Sequence, residues 1–471
     1  MKKFISLLLV FCITSSLAAC GNSTTQDDSL SNQAQINSNN PSEKNTDNPS
    51  PQPEHTDETL GAFSNRATLE ETVLVDENGI KITATGLNYT NYSVELELTI
   101  ENNSDKDLSF ISRSMGYSCN SVNGYMVSDG YLNCDVAAGK KANDSISFDY
   151  DGLMLYGINE IADMEIGFDI SDDDYNHTYS GPRPLKTSAF ESHDYSVDYY
   201  GTAITSQATM NTYGYEITHF SQDTLYDEGG IKLMSSGVMT NRGGDTILLL
   251  ELLNTTDNIV YMTTSNISIN GLAIYSSTWS SDAINPGKHV IIDINLTSVL
   301  DTEYWNIYGI REVSAVSLSL SQKSQDYNII TDPSVIEVVV PGTECSFDST
   351  GTEIYSNNGL RIIAKTILED PSEYSSDMYV LLLAENNSGT TLTIDDVYDS
   401  LSVNGFMTDY SYYSMEVKNG SCALLEVKLW ESALENNRIS SVSDVIEVEI
   451  RLEIKEGKTM FDQPVITIPF D

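Results

Sequence analysis

The chain has 471 residues, 69 of them acidic and 24 basic, for a formal net charge of −45 at pH 7. A field of that sign repels phosphate backbones and anionic headgroups, which excludes nucleic-acid binding and holds a folded part away from a lipid surface. It would favour a cationic partner or divalent cations, although solubility accounts for it more simply.

Lys2 and Lys3 form a short basic start, followed by the apolar run Phe4 to Ile13, which is too short for a permanent membrane helix. The run ends in Leu17-Ala18-Ala19-Cys20-Gly21, where small residues precede the cysteine. Leu-Ala-Ala-Cys resembles the lipobox of bacterial lipoproteins. That resemblance implies a leader over residues 1–19, cleavage between Ala19 and Cys20, and diacylglycerol on the Cys20 thiol. Two or more acyl chains make a stable anchor where one holds only marginally. No later stretch is long and apolar enough to cross a bilayer. The expected address is the outer face of a cell membrane, of Gram-positive type, with the membrane met only through Cys20.

Residues 20–66 are rich in Ser, Asn, Thr, Gln, Asp and Pro and poor in large apolar side chains. Such a segment cannot bury enough surface to offset its ordering entropy, and it reads as a disordered, lipid-anchored linker. As coil it would average roughly 35–40 Å end to end.

From about residue 67 the pattern turns to alternating strands, and one order of landmarks recurs three times. A Gly turn opens a strand at Asn78-Gly79, Gly229-Gly230 and Asn358-Gly359. An apolar strand then runs into a polar turn: Val94 to Ile100, Ile247 to Leu253, and Tyr379 to Ala384. The tightest landmark is Ser121-Val122-Asn123-Gly124, matched by Ser268-Ile269-Asn270-Gly271 and Ser402-Val403-Asn404-Gly405. A later turn follows near Gly139, Gly287 and Gly420, and an alternating strand near each end, such as Val445 to Ile454. Asn-Gly turns are common singly, but five landmarks in fixed order mark whole domains. The boundaries are 67–190 for repeat 1, 191–222 for an inter-domain segment, 223–343 for repeat 2 and 344–471 for repeat 3.

In Val94-Glu95-Leu96-Glu97-Leu98-Thr99-Ile100 the aliphatic residues fall on one face and the polar ones on the other, the mark of an antiparallel strand with one wet side. Roughly seven such strands per repeat predict an all-β chain of three tandem antiparallel β-sandwiches. Short helices are expected around Leu300 to Trp305 and Trp430 to Glu435. The repeats resemble uncharacterised immunoglobulin-like domains of Gram-positive surface lipoproteins, a family that implies no reaction and no catalytic residue. An eight-stranded jelly roll would show a similar pattern.

After Cys20 the cysteines are Cys119, Cys134, Cys345 and Cys422. Outside the cytoplasm, Cys119 and Cys134 fit either a bridge across neighbouring strands or two buried thiols, and the spacing of Cys345 and Cys422 fixes no geometry. The histidines His55, His177, His193, His219 and His289 show no metal-ligand spacing, and no Gly-x-Ser-x-Gly elbow occurs. Asp172-Asp173-Asp174 and Asp149-Tyr150-Asp151-Gly152 offer oxygens but no EF-hand loop. No catalytic residue, metal ligand or cofactor is therefore expected. Among 27 tyrosines, clusters at Tyr195, Tyr199 and Tyr200 and at Tyr410, Tyr412 and Tyr413 could stack on sugars or anchor a protein, or simply suit strand positions. The expected function is a non-catalytic binding or adhesion protein of the cell envelope, with a protein or glycan partner. Carbohydrate binding or hydrolysis, and inhibition or assembly of another envelope protein, are the alternatives.

Overall fold

A computed structural model describes residues 60–112, 120–275, 281–344, 347–370 and 375–470. The leader, Cys20, Cys119, Cys345 and nearly all of the expected linker lie outside the described residues. The protein is all-β. Its helices are short, the longest described being the seven residues Gln207–Tyr213, and none is long and apolar enough to cross a membrane.

Each repeat contributes two facing sheets. In repeat 1, Thr72–Glu77, Ile80–Tyr89, Ser93–Asn102 and Lys140–Asp149 form one antiparallel sheet in that order. The opposing sheet is built on Asp163–Asp172, which pairs with Leu108–Ser112, Ser121–Val122 and His177–Lys186. The later repeats follow the same plan, with three consecutive strands and then the strand after the Gly turn in the first sheet. Ile82, Leu96, Leu98, Phe148, Ile166 and Phe168, drawn from both sheets, are fully buried between them.

Two asparagines recur for structural reasons. Asn102, Asn254 and Asn386 end the third strand of each repeat with no exposed surface. Their amide nitrogens donate to two carbonyls apiece at 2.7–2.8 Å, for instance Lys106 and Val136 from Asn102, and Thr390 and Val417 from Asn386. The tip asparagines Asn123, Asn270 and Asn404 take positive φ beside a positive-φ glycine, the geometry of a two-residue hairpin turn. Their side chains tie the hairpin to the next long strand: Asn270 Nδ2 donates to the Glu312 carbonyl, and its Oδ1 accepts from the Ser314 amide.

These hairpins do more than turn the chain. Tyr125, just past the first tip, lies parallel beside His289 at the start of the last strand of repeat 2's first sheet. Leu272 and Ala273, past the second tip, lie beside Cys422 and Ala423 in repeat 3. Hydrogen-bonded sheets thus run across both repeat boundaries. The outer faces of the receiving sheets are buried as well: Met239, Ile247 and Leu249 pack with Tyr200, Tyr213 and Tyr215, and Ile363, Leu381, Leu383 and Leu424 pack with Leu272, Tyr304 and Tyr308.

Some expectations fit differently. A single wet face holds for the first sheet of repeat 1 and for Glu447–Glu456 in repeat 3, whereas the first sheets of repeats 2 and 3 are covered by the connecting segment and by repeat 2 respectively. Residues 191–222 are built, with helices Tyr199–Ile204 and Gln207–Tyr213 and the strand Glu216–Ser221 joined to Ile231–Thr240. Residues 60–66, placed in the linker, are docked: Phe63 stacks on Tyr150 at 4.4 Å and the Ser64 amide donates to the Asn159 carbonyl. Helices Thr302–Ile307 and Glu431–Asn436 stand where the sequence places them.

Candidate functional site

A cleft of about 700 Å³ opens where repeat 1 meets repeat 2. Three parts of the chain make it: the first tip (Asn123, Gly124, Tyr125), the connecting stretch with His193, Tyr195 to Tyr199, Gln222 and Thr224, and the first sheet of repeat 2 with Lys232, Met234, Glu251 and His289. Each is held from behind. Asp198 caps helix Tyr199–Ile204, accepting from the Gly201 amide at 2.7 Å, and its other oxygen accepts from Gln222 Nε2 at 2.6 Å. The His289 amide donates to the Gly124 carbonyl at 2.8 Å, and Lys288 forms an ion pair with Glu165 at 2.9 Å. The wall is therefore largely pre-formed.

At its floor sits Glu251, 4% exposed. A carboxylate so buried must be paired, and it is: Oε2 accepts from Ser235 Oγ at 2.7 Å, and Oε1 from His289 Nδ1 at 2.8 Å and the Tyr125 hydroxyl at 3.4 Å. Burial, with Glu251 adding to it, pushes the Tyr125 phenol far above its usual range, so it stays a donor. Donation from Nδ1 leaves His289 Nε2 as the imidazole's remaining polar atom. The order is hydroxyl, carboxylate, imidazole, with Ser235 bonded to Glu251. A nucleophile triad instead needs the hydroxyl bonded to the imidazole. This arrangement orients a ring and does not activate a serine.

The outer wall is aromatic. His193 stacks on Tyr199, with ring centres 4.9 Å apart and 20° between planes, and meets Tyr195 edge-on at 4.5 Å. Burial lowers the His193 pKa, against the opposing pull of Asp163, Asp194 and Glu160. The Tyr195 hydroxyl donates to Asp163. Asn123, Asp198, Gln222, Thr224 and Lys232 are among the further polar groups of the lining.

Of the residues singled out from sequence, the structure brings Tyr195 and Tyr199 to this cleft, with Tyr200 buried behind it. Of the second tyrosine cluster, Tyr413 stacks on Tyr275 at the other boundary, at 4.2 Å and 9°, while Tyr410 and Tyr412 pack against the core of repeat 3. Cys134 is a buried free thiol, its pKa pushed up to about 11 by burial. Asp172 is engaged by Lys106 and Asn176, and no group of three or more metal-binding side chains occurs among the described residues. His193 and His289, set aside as incidental, face one cleft. Spacing in sequence could not show this, because His193 lies in the connecting segment and His289 in repeat 2, and only the fold brings both to one cleft.

No protein-family model and no curated protein matches the chain. Among solved structures it is similar to an exo-β-D-glucosaminidase of Amycolatopsis orientalis, at 10% identity and a TM-score of 0.18, over 58% of this chain and 28% of that one. The chain thus matches little more than a quarter of that enzyme's length. It is also similar to a protein of unknown function from Porphyromonas gingivalis, at 9% and 0.15, over 54% and 99%. A third likeness is to a bacterial ice-binding adhesin, at 8% and 0.13, over 79% and 88%. Likenesses this distant carry no argument about function.

Proposed function

We propose that the chain is a non-catalytic, lipid-anchored envelope protein of three stacked sandwich units that binds a neutral saccharide in the cleft between repeats 1 and 2. The observation that carries the reading is the cleft itself, whose volume falls in the range of small-ligand sites and whose lining combines fixed aromatic faces with amide, hydroxyl and ammonium groups. Aromatic faces suit the C–H surfaces of a sugar ring, and the polar groups suit its hydroxyls. The charge of the whole chain disfavours an anionic ligand. Within the lining, the Glu251 carboxylate is satisfied by Ser235, His289 and Tyr125, and Asp198 by the Gly201 amide and Gln222. Non-catalytic action is supported by the order of groups at Glu251, which leaves Ser235 unactivated.

The test is titration with neutral hexose and N-acetylhexosamine oligosaccharides, followed by calorimetry and by NMR of the cleft residues. Binding should fall at least about tenfold in Tyr199→Ala and in Gln222→Ala, losses of one stacking face and one hydrogen-bonding group, with the melting temperature held. A blank glycan series, or binding indifferent to both substitutions, removes the reading. Release of new reducing ends during incubation would replace binding with hydrolysis.

A further inference from the structure

The tip hairpin occurs three times, but only two copies are covered. Tyr125 and Met126 are 7% and 1% exposed under repeat 2, and Leu272 is fully buried under repeat 3. Their counterparts Phe406 and Met407 are 56% and 63% exposed. Ile446, whose amide donates to the tip Asn404, is 68% exposed, and Trp430 adds a further exposed face nearby. Large aromatic and aliphatic side chains gathered at one end of a strongly charged protein mark a contact surface.

What the covered hairpins meet identifies what the open one would meet. The receiving element is the start of the fourth strand of a first sheet: Lys288 and His289 in repeat 2, and Ser421 and Cys422 in repeat 3. The register against Asn102, Asn254 and Asn386 makes Lys140 and Lys141 the equivalents in repeat 1. Those two lysines are exposed and lie on the outer strand of their four-stranded sheet. We propose that the third tip of one chain docks against the Lys140–Asp149 edge of a second copy, head to tail, repeating the junction already made twice within the chain.

The side chains on the two free ends match. At the first junction Lys288 pairs with Glu165, which stands opposite Ser121 on the neighbouring strand. Opposite Ser402 the same position is Glu449, exposed, so Lys140 of the second copy replaces Lys288. His289 packs on Tyr125 at 4.9 Å; in its place Lys141 would lie against Phe406, a cation over an aromatic face. The inner junctions press tyrosines onto an apolar sheet, Tyr200, Tyr213 and Tyr215 at the first and Tyr304 and Tyr308 at the second. Beside its apolar side chains the free third end carries Asn437 and Arg438, and the first sheet of repeat 1 carries Glu95, Glu97 and Thr99. The contact is accordingly smaller, charge-directed and reversible. A head-to-tail contact leaves one end free on each terminal copy, so it adds copies in series until the rotation closes a ring.

The test uses residues 20–471 with Cys20→Ser, in sedimentation velocity over a concentration series at physiological salt. The weight-average mass should climb with concentration past that of a dimer. Glu449→Lys and Lys140→Glu, both exposed changes, should each weaken association about tenfold, and the double reversal should restore it. Phe406→Ser with Met407→Ser should leave a monomer of unchanged melting temperature. A monomer at every concentration, a plateau at a closed dimer, or association that the single reversals leave intact or the double reversal fails to restore would each overturn the proposal. The first of these would assign the patch to a partner of different sequence.

Discussion

Single side chains set limits on what the strands can do. Asn386 fills two carbonyls and orders the Ser388 turn through its own oxygen, with no exposed surface. Alanine there would leave both carbonyls unmet in the interior, and each unmet buried group costs roughly 1–3 kcal/mol. Asn386→Ala should therefore lower unfolding free energy by about 2–4 kcal/mol in urea titrations; a loss within error would assign the motif some other role. Asp129 tests the opposite sign. Burial, and then the neighbouring Asp149, push its carboxyl up to about 6. A carboxyl whose folded pKa lies above its unfolded value favours the native state at low pH, and that contribution is lost as pH rises from about 4 through 6. Asp129→Asn should thus stabilise the protein by about 1–2 kcal/mol at pH 7, with the gain shrinking toward zero by pH 4. A gain that ignored pH would point to packing instead of charge.

At the level of strands and turns, most of the architecture was legible. Positive-φ Asn-Gly pairs, strict alternation and the three-fold order of landmarks each have one local cause, so they can be read without knowing their neighbours. The two helices of residues 191–222 were not legible, because Tyr199–Ile204 and Gln207–Tyr213 are too short to show a helical period and are held by their seat between repeats. A signal for the junctions was nonetheless present. Val94 to Ile100 alternates, whereas Ile247-Leu248-Leu249-Leu250 and Val380-Leu381-Leu382-Leu383 do not. An unbroken apolar strand in an otherwise antiparallel protein means both faces are covered. Contrasted with repeat 1, those runs already show which sheets are stacked upon. The cleft was only half visible: Tyr195 and Tyr199 stood out as a cluster, while Glu251 and His289 gain their partnership solely through antiparallel pairing and the approach of Tyr125.

The whole molecule behaves as a stack in which each repeat completes the next. Leu272, Tyr304 and Tyr308 share one apolar cluster with Leu381 and Leu383, and the Tyr308 hydroxyl donates to the Leu382 carbonyl at 3.0 Å. Units coupled through such interfaces unfold together as long as the interface term outweighs the differences between them. Scanning calorimetry of the intact protein should accordingly show repeats 2 and 3 melting in one transition. Leu272→Ala removes about 2–5 kcal/mol of packing on its own, and Tyr308→Ala a similar amount. Together they should exceed the coupling and split the transition in two, with repeat 3 separating from the rest. The cleft offers an independent check on the same coupling. A saccharide bound between repeats 1 and 2 stabilises only the state in which both are folded. In the intact stack it should raise the melting temperature of all three repeats. In the double variant it should move only the transition that contains the cleft, and an equal shift of both would show that the seam at Leu272 does not carry the coupling.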